Sequence, residues 1–173
     1  MHNAIEEAAV PIKTLGLDVA LKTGWAYFRP GIDETPVCGK IKLAEKGGPK
    51  ACMRMLEFTA RMLRSLGRDN LYVVIEGSKG FTRGVFTVDV QNKLRGCVEA
   101  ACGLTVPIVE IAPQTLKKFA AGHGHAEKDD MVKAARRRWD YGGRDDDEAD
   151  ALAACMYGQH LGEAGIRQKI AKG

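Results

Sequence analysis

Asp18 stands inside a short apolar run, Leu15-Gly16-Leu17-Asp18-Val19, of the kind that forms a buried central strand. Taking a carboxylate out of water is costly, and it stays ionised there only when it is paired or holds a metal. From this stretch by itself, an edge-strand Asp facing water is an equal alternative. Gly24 precedes a second β-prone run, Trp25 to Phe28, and reads as a tight turn into an adjacent antiparallel strand. The choice between the two settings for Asp18 falls to the rest of the chain, which must supply partners at the ends of other elements.

Strands are expected over 14–19, 25–29 and 37–43, with Pro30, Gly31 and Asp33 in the hairpin loop between the second and third. Gly47-Gly48-Pro49 resembles a phosphate loop only superficially, because the G-K-[ST] ending is missing. From Pro49 to Leu66 apolar residues recur at helical spacing, with Pro49 suited to the first turn and Gly67 to the stop. The methionines within it read as core filler. Leu71 to Ile75 is a strand ending on Glu76-Gly77. A strand that follows a helix and finishes on an acid places that acid at the carboxyl edge of a parallel sheet, where α/β proteins bind ligands.

Residues 77–87 carry three glycines, two cations and two aromatics. They read either as a connector or as a DNA-facing loop, in which Lys79 and Arg83 bind phosphates and Phe81 stacks on an unpaired base. The second reading is preferred. A helix over 88–102 with a small-residue face (Gly96, Cys97, Ala100, Ala101) allows close approach of another helix, internal or from a second copy. A strand at 107–111 and a short helix from Pro113 bearing Lys117 and Lys118 follow. His123 and His125, in a glycine-rich loop, read as loop residues rather than ligands. A basic helix over 126–139 and a last helix from about 145 to 160 precede a basic tail expected to be mobile. Residues 1–12 are expected to be a frayed lead-in. This order predicts an α/β fold with a five-stranded mixed sheet, strands 1–3 antiparallel and strands 1, 4 and 5 parallel, flanked by helices. A single domain is expected, with its core at about 14–161 of the 173 residues.

Five cysteines without paired spacing argue against a zinc site or a disulfide framework and suit reduced thiols in the cytoplasm. Glu6 and Glu7 stand where a signal peptide would be apolar. The net charge of +4 permits a polyanionic partner without requiring one. Its distribution is more telling: lysines and arginines fill 113–138, and Asp145, Asp146, Asp147, Glu148 and Asp150 crowd the next stretch. A basic surface beside an acidic knot suits a metal-dependent enzyme acting on nucleic acid.

Asp147 and Asp150, three apart on the last helix, project from one face. The helix dipole accounts for acids at its start, Asp145 and Asp146, but not for Asp150, where the sequence turns apolar. Asp18, Glu76, Asp147 and Asp150 could thus meet at one sheet edge. Two carboxylates about 4 Å apart repel by roughly 4 kcal/mol at an effective dielectric of 20. Four are a heavy load for a domain stable by about 5–15 kcal/mol. Divalent cations resolve the conflict, and all-oxygen ligands select hard ions, Mg²⁺ or Mn²⁺. Two such ions can clamp the attacking and leaving oxygens of a phosphodiester displacement.

The segments LGLDVALKTGWA, VVIEG, EIAPQTLKKFAAGHGHAEKDDMV and DDDEADALAA resemble, in order, the motifs of RuvC-type Holliday-junction resolvases, members of the RNase H-like nuclease superfamily. The resemblance spans about 14–157. It implies an RNase H-like fold and a Mg²⁺-dependent endonuclease, with two ions and with Mn²⁺ able to substitute. It also implies a homodimer that makes paired nicks in four-way junctions during DNA recombination and repair. By the same resemblance the metal-binding acids are Asp18, Glu76, Asp147 and Asp150, and the basic residues near the scissile phosphate are Lys117 and Lys128. The family's stacking phenylalanine position is occupied by Lys79, and Phe81 is the nearest substitute. Other readings are a broader branched-DNA or flap nuclease, an RNase H, half of an actin-like or sugar-kinase ATPase, and a non-catalytic DNA-binding module. The length disfavours the ATPase, and retention of four acids disfavours the inert module.

Overall fold

The structure, a computed structural model, describes residues 11–77 and 85–172. Five strands form one sheet: β1 (Lys13–Asp18), β2 (Lys22–Phe28), β3 (Val37–Lys42), β4 (Leu71–Glu76) and β5 (Ile108–Ile111), in the order β3-β2-β1-β4-β5. β1 pairs antiparallel with β2 and parallel with β4, β2 pairs antiparallel with β3, and β4 pairs parallel with β5. The expected mixed sheet is therefore present.

Side chains alternate across a strand, and β1 and β4 use both faces. Leu15, Leu17, Val73 and Ile75 join the core beneath α1 (Pro49–Leu66) and α2 (Val85–Cys102). Helix α1 starts on Pro49 as expected, and its apolar stripe buries Met55, Phe58, Leu63 and Leu66. Its last carbonyls accept hydrogen bonds from Lys13 Nζ, at 2.7 Å from Leu66 O and 2.8 Å from Gly67 O.

On the opposite face lie α3 (Pro113–Ala121), α4 (Lys128–Trp139) and α5 (Asp146–Ile170). Helix α5 sits directly on the strands. A Cβ on Gly16 would stand 2.2 Å from Ala151 O, and one on Gly24 would stand 1.9 Å from Asp147 O. Farther along, a Cβ on Gly158 would stand 2.8 Å from Val74 Cγ2. With Ala151, Leu152, Ala153, Ala154 and Cys155 buried between the sheet and the outer helices, α5 is apolar on all sides just beyond Asp150.

Two expectations are corrected. Gly24 is the third residue of β2, level with Asp18, and the turn lies before it; the glycine is required because the α5 backbone rests on it. The tail is not loose, since helical structure resumes beyond a non-helical Gly162 (φ 61°) and continues to Ile170. Ile166 is fully buried with Ile12, Tyr72 and Val74, which also anchors the end of the lead-in. All five cysteines are free thiols: Cys102 and Cys155 are buried and the other three half-buried. Among the described residues no helix is long and apolar enough to cross a membrane.

Candidate metal centre and nucleic-acid cleft

Asp18 is the last residue of β1 and Glu76 the last of β4, one step beyond the paired Leu17 and Ile75. By alternation both leave the α1 face and point to the side covered by α5. The first turn of α5 lies over the same edge because Gly24 admits the Asp147 carbonyl. A cavity of about 160 Å³ opens there, lined by Asp18, Glu76, Asp147 and Asp150 together with Lys117 and Lys128. The four acids predicted from the sequence thus come to one place, and so do the two predicted lysines. The inward setting of Asp18 is the one adopted.

Among the described residues a further acidic group overlaps these four. Asp145, Asp146 and Asp147 offer oxygens within 4.8 Å of one another. Asp145 caps α5, its Oδ1 accepting from the amides of Asp147 at 3.0 Å and Glu148 at 3.2 Å, as the helix dipole favours. Burial pushes its carboxyl up, but hydrogen bonds from Lys40 and the helix amides outweigh burial and hold it below the ordinary range. Asp146 lines the cavity and pairs with Lys128. That carboxylate, acting through a hydrogen bond, raises the Lys128 ammonium above its usual value. Tyr141 fixes the approach to the helix: its hydroxyl donates to Glu148 Oε2 at 2.7 Å and accepts from the Asp145 amide at 3.1 Å.

The lysines are placed by helix ends. Helix α3 stops at the left-handed Gly122, and Lys117 Nζ donates to the Ala126 carbonyl at the entrance to α4. Helix α4 opens on Lys128 behind a capping box formed by Glu127 and Asp130. Lys118 is exposed on α3, outside the cavity lining. Lys79, Phe81 and Arg83 lie outside the described residues. His123 and His125 are in a loop, as expected, and exposed.

Two residues, Arg95 lining the cavity and Lys40 in the groove beside it, escaped sequence reasoning. Arg95 on α2, almost wholly buried, donates to the Glu76 carbonyl and to Glu110 Oε2, the latter at 3.2 Å, so it ties the end of β4 to β5. An arginine within an amphipathic helix gives no local sign of this. Lys40 on β3 reaches Asp145, and also Asp147 at 3.0 Å. It is raised well above the ordinary lysine value by hydrogen bonds to Asp145 and Asp147, which outweigh desolvation. Beyond the cavity, a groove sharing Gln91, Lys128, Asp146 and Asp147 runs past Lys22, Lys40 and Lys42. Further grooves continue it along Lys46, Lys50 and Arg54 to Arg61 and Arg64.

All the carboxylates lining the cavity offer oxygen, and among the described residues no cysteine or histidine lines it. Such a donor set fits a hard divalent cation.

Comparison with known proteins bears on this arrangement. The crossover junction endodeoxyribonuclease RuvC of Synechococcus sp. (strain WH7803) is 33% identical over 153 residues, covering 85% of this chain and 97% of that protein. The chain belongs to the RuvC family. The RuvC of Prochlorococcus marinus (strain MIT 9303) is 32% identical over 152 residues, with 85% and 97% covered. No family model matches the sequence. Among solved structures, Thermus thermophilus RuvC in complex with Holliday junction substrate aligns with a TM-score of 0.72 at 20% identity, covering 90% of this chain and 96% of that one. A second T. thermophilus RuvC structure gives 0.70 at 20% identity, covering 87% and 95%. The fold is that of RuvC, an RNase H-like architecture.

Proposed function

We propose that this chain is a divalent-metal-dependent endonuclease that resolves four-way DNA junctions by paired nicks, acting in the cytoplasm as a homodimer of single nuclease domains. The observation that carries this reading is the gathering of four carboxylates from β1, β4 and α5, with two lysines, around one cavity. Membership of a family whose named members are crossover junction endodeoxyribonucleases supports the substrate.

In this reading Asp18, Glu76, Asp147 and Asp150 hold Mg²⁺, with Mn²⁺ as a substitute and two ions as the working number. Held by these acids, divalent cations would provide a water nucleophile at neutral pH and stabilisation of charge on the phosphate oxygens. The acids would hold those ions at the shared edge of β1, β4 and α5. Lys117 and Lys128 offset negative charge as it develops on the phosphate, an effect strongest in a site shielded from water. Asp146 holds Lys128 at the cavity mouth until the phosphate arrives. The basic groove from Lys22 to Arg64 suits the backbone of a DNA arm leaving the cleft, and Lys118 extends the basic surface on α3. Lys79, Phe81 and Arg83 are assigned to junction contact. Gly96 on α2 has open space where a side chain would stand and Ala100 is exposed, which suits approach by a second copy.

Incubating labelled four-way junctions, flaps and RNA–DNA hybrids with and without Mg²⁺ tests the reading. Symmetric cuts in the four-way junction, dependent on the cation, are expected. Cleavage of the hybrid alone would reassign the chain to an RNase H activity. Asp18→Asn should abolish cutting while junction binding persists, and light scattering should give the mass of a dimer.

A further inference from the structure

Lys40, Gly24 and Asp18 occupy one cross-strand row, since Asp18 is level with Gly24 and Gly24 with Lys40. Side chains in such a row share a face, here the one under α5. Gly24 contributes no side chain, so the Lys40 stem runs past it to the first turn of the helix. Its ammonium takes two carboxylates at once, Oδ2 of Asp145 and Oδ2 of Asp147. Lys42, two residues on, pairs instead with Glu45 and does not share this arrangement.

The partners of Lys40 differ in kind. Asp145 is committed to the helix, its Oδ1 held by two backbone amides. Asp147 lines the cavity beside Asp18 and Glu76. Three acids with oxygens within 4.8 Å repel one another. Lys128 offsets Asp146, and Lys40 offsets the other two. A cation entering the cavity meets one of its ligands already engaged by a positive charge belonging to the protein.

We propose that Lys40 is a positioning residue and built-in counter-ion: its ammonium and a divalent cation compete for Asp147, so that Lys40 sets the metal concentration at which the site fills. The inference rests on the reading of Asp147 as a metal ligand. Screened by water, one positive charge a side chain's width from a divalent ion weakens binding of that ion roughly tenfold. A merely structural Lys40 predicts the opposite sign, because its loss would loosen Asp147 and weaken the metal.

The test is isothermal titration of Mn²⁺ into the full chain without DNA, for wild type, Lys40→Met and Lys40→Arg. Circular dichroism of each metal-free variant confirms that it is folded. Lys40→Met should bind Mn²⁺ about tenfold more tightly than wild type, by the same charge argument. Lys40→Arg keeps the charge and should stay close to wild type. Wild-type binding that Lys40→Met leaves unchanged or weakens overturns the role of Lys40 alone. Absence of any Mn²⁺ binding by wild type overturns the metal reading and the role of Lys40 with it.

Discussion

Helices α1 and α5 cover opposite faces of one sheet by opposite means. Helix α1 meets β1 and β4 through Met55, Phe58, Leu63 and Leu66, side chains that interlock with Leu15, Leu17, Val73 and Ile75. Helix α5 meets β1 through Gly16, β2 through Gly24 and both through its own alanines, with backbone against backbone. Interlocked side chains tolerate small adjustments, whereas a backbone resting on a glycine has no side chain to yield. The first interface supplies bulk burial. The second fixes α5 relative to the ends of β1 and β4, and so fixes Asp147 and Asp150 relative to Asp18 and Glu76.

Substitutions on the two faces should therefore fail differently. The largest effect is expected at Gly24→Ala, whose methyl would stand 1.9 Å from Asp147 O. Displacing the first turn of α5 by about 1 Å should lower cleavage roughly 100-fold in single-turnover assays. Overpacking of this kind should also cost about 1–3 kcal/mol in urea unfolding. Near-normal cutting by Gly24→Ala would break the contrast between the faces. Next, Leu63→Ala in the α1 core should destabilise by about 2–5 kcal/mol while the folded fraction cuts at the wild-type rate. Lys13→Met removes two hydrogen bonds to the end of α1 and should cost about 1–2 kcal/mol, again without altering cleavage.

The smallest effect concerns pH. Asp145 is held below its ordinary value of 3.8, so its contribution to stability is complete above that value. As the pH falls below 3.8 through the depressed value, the carboxylate protonates and the contribution is lost. Asp145→Asn retains a capping side chain but not the Lys40 pair, because Asn and Asp cap about equally well. Between pH 5 and pH 3 its melting temperature should therefore fall less steeply than that of wild type, by about a few degrees.

The same contrast decides what the sequence made legible. Helix α1 was readable to its ends, Pro49 to Leu66, because bulky residues at helical spacing write their partners' face into the local pattern. β4 ending on Glu76 is readable because a short continuous apolar run, Leu71 to Ile75, marks a buried central strand. Gly24 reads as a turn residue in the sequence because the neighbour that requires glycine there lies more than 120 residues away in the chain. Lys40 and Arg95 gave no local sign, since each acts through a partner on another element. Ile166 is one apolar residue in a polar stretch, and only Ile12, Tyr72 and Val74 reveal its place. The meeting of Asp18, Glu76, Asp147 and Asp150 at one edge is legible because strand ends and helix spacing place them there, and the family motifs select the same four acids.

The central claim is that acids from β1, β4 and α5 converge on shared cations. Anomalous diffraction from crystals soaked in Mn²⁺ tests it most directly. The account predicts peaks within bonding distance of carboxylate oxygens of Asp18, Glu76, Asp147 and Asp150 together. A single peak held by Asp145, Asp146 and Asp147, with none reaching Asp18 or Glu76, would contradict it.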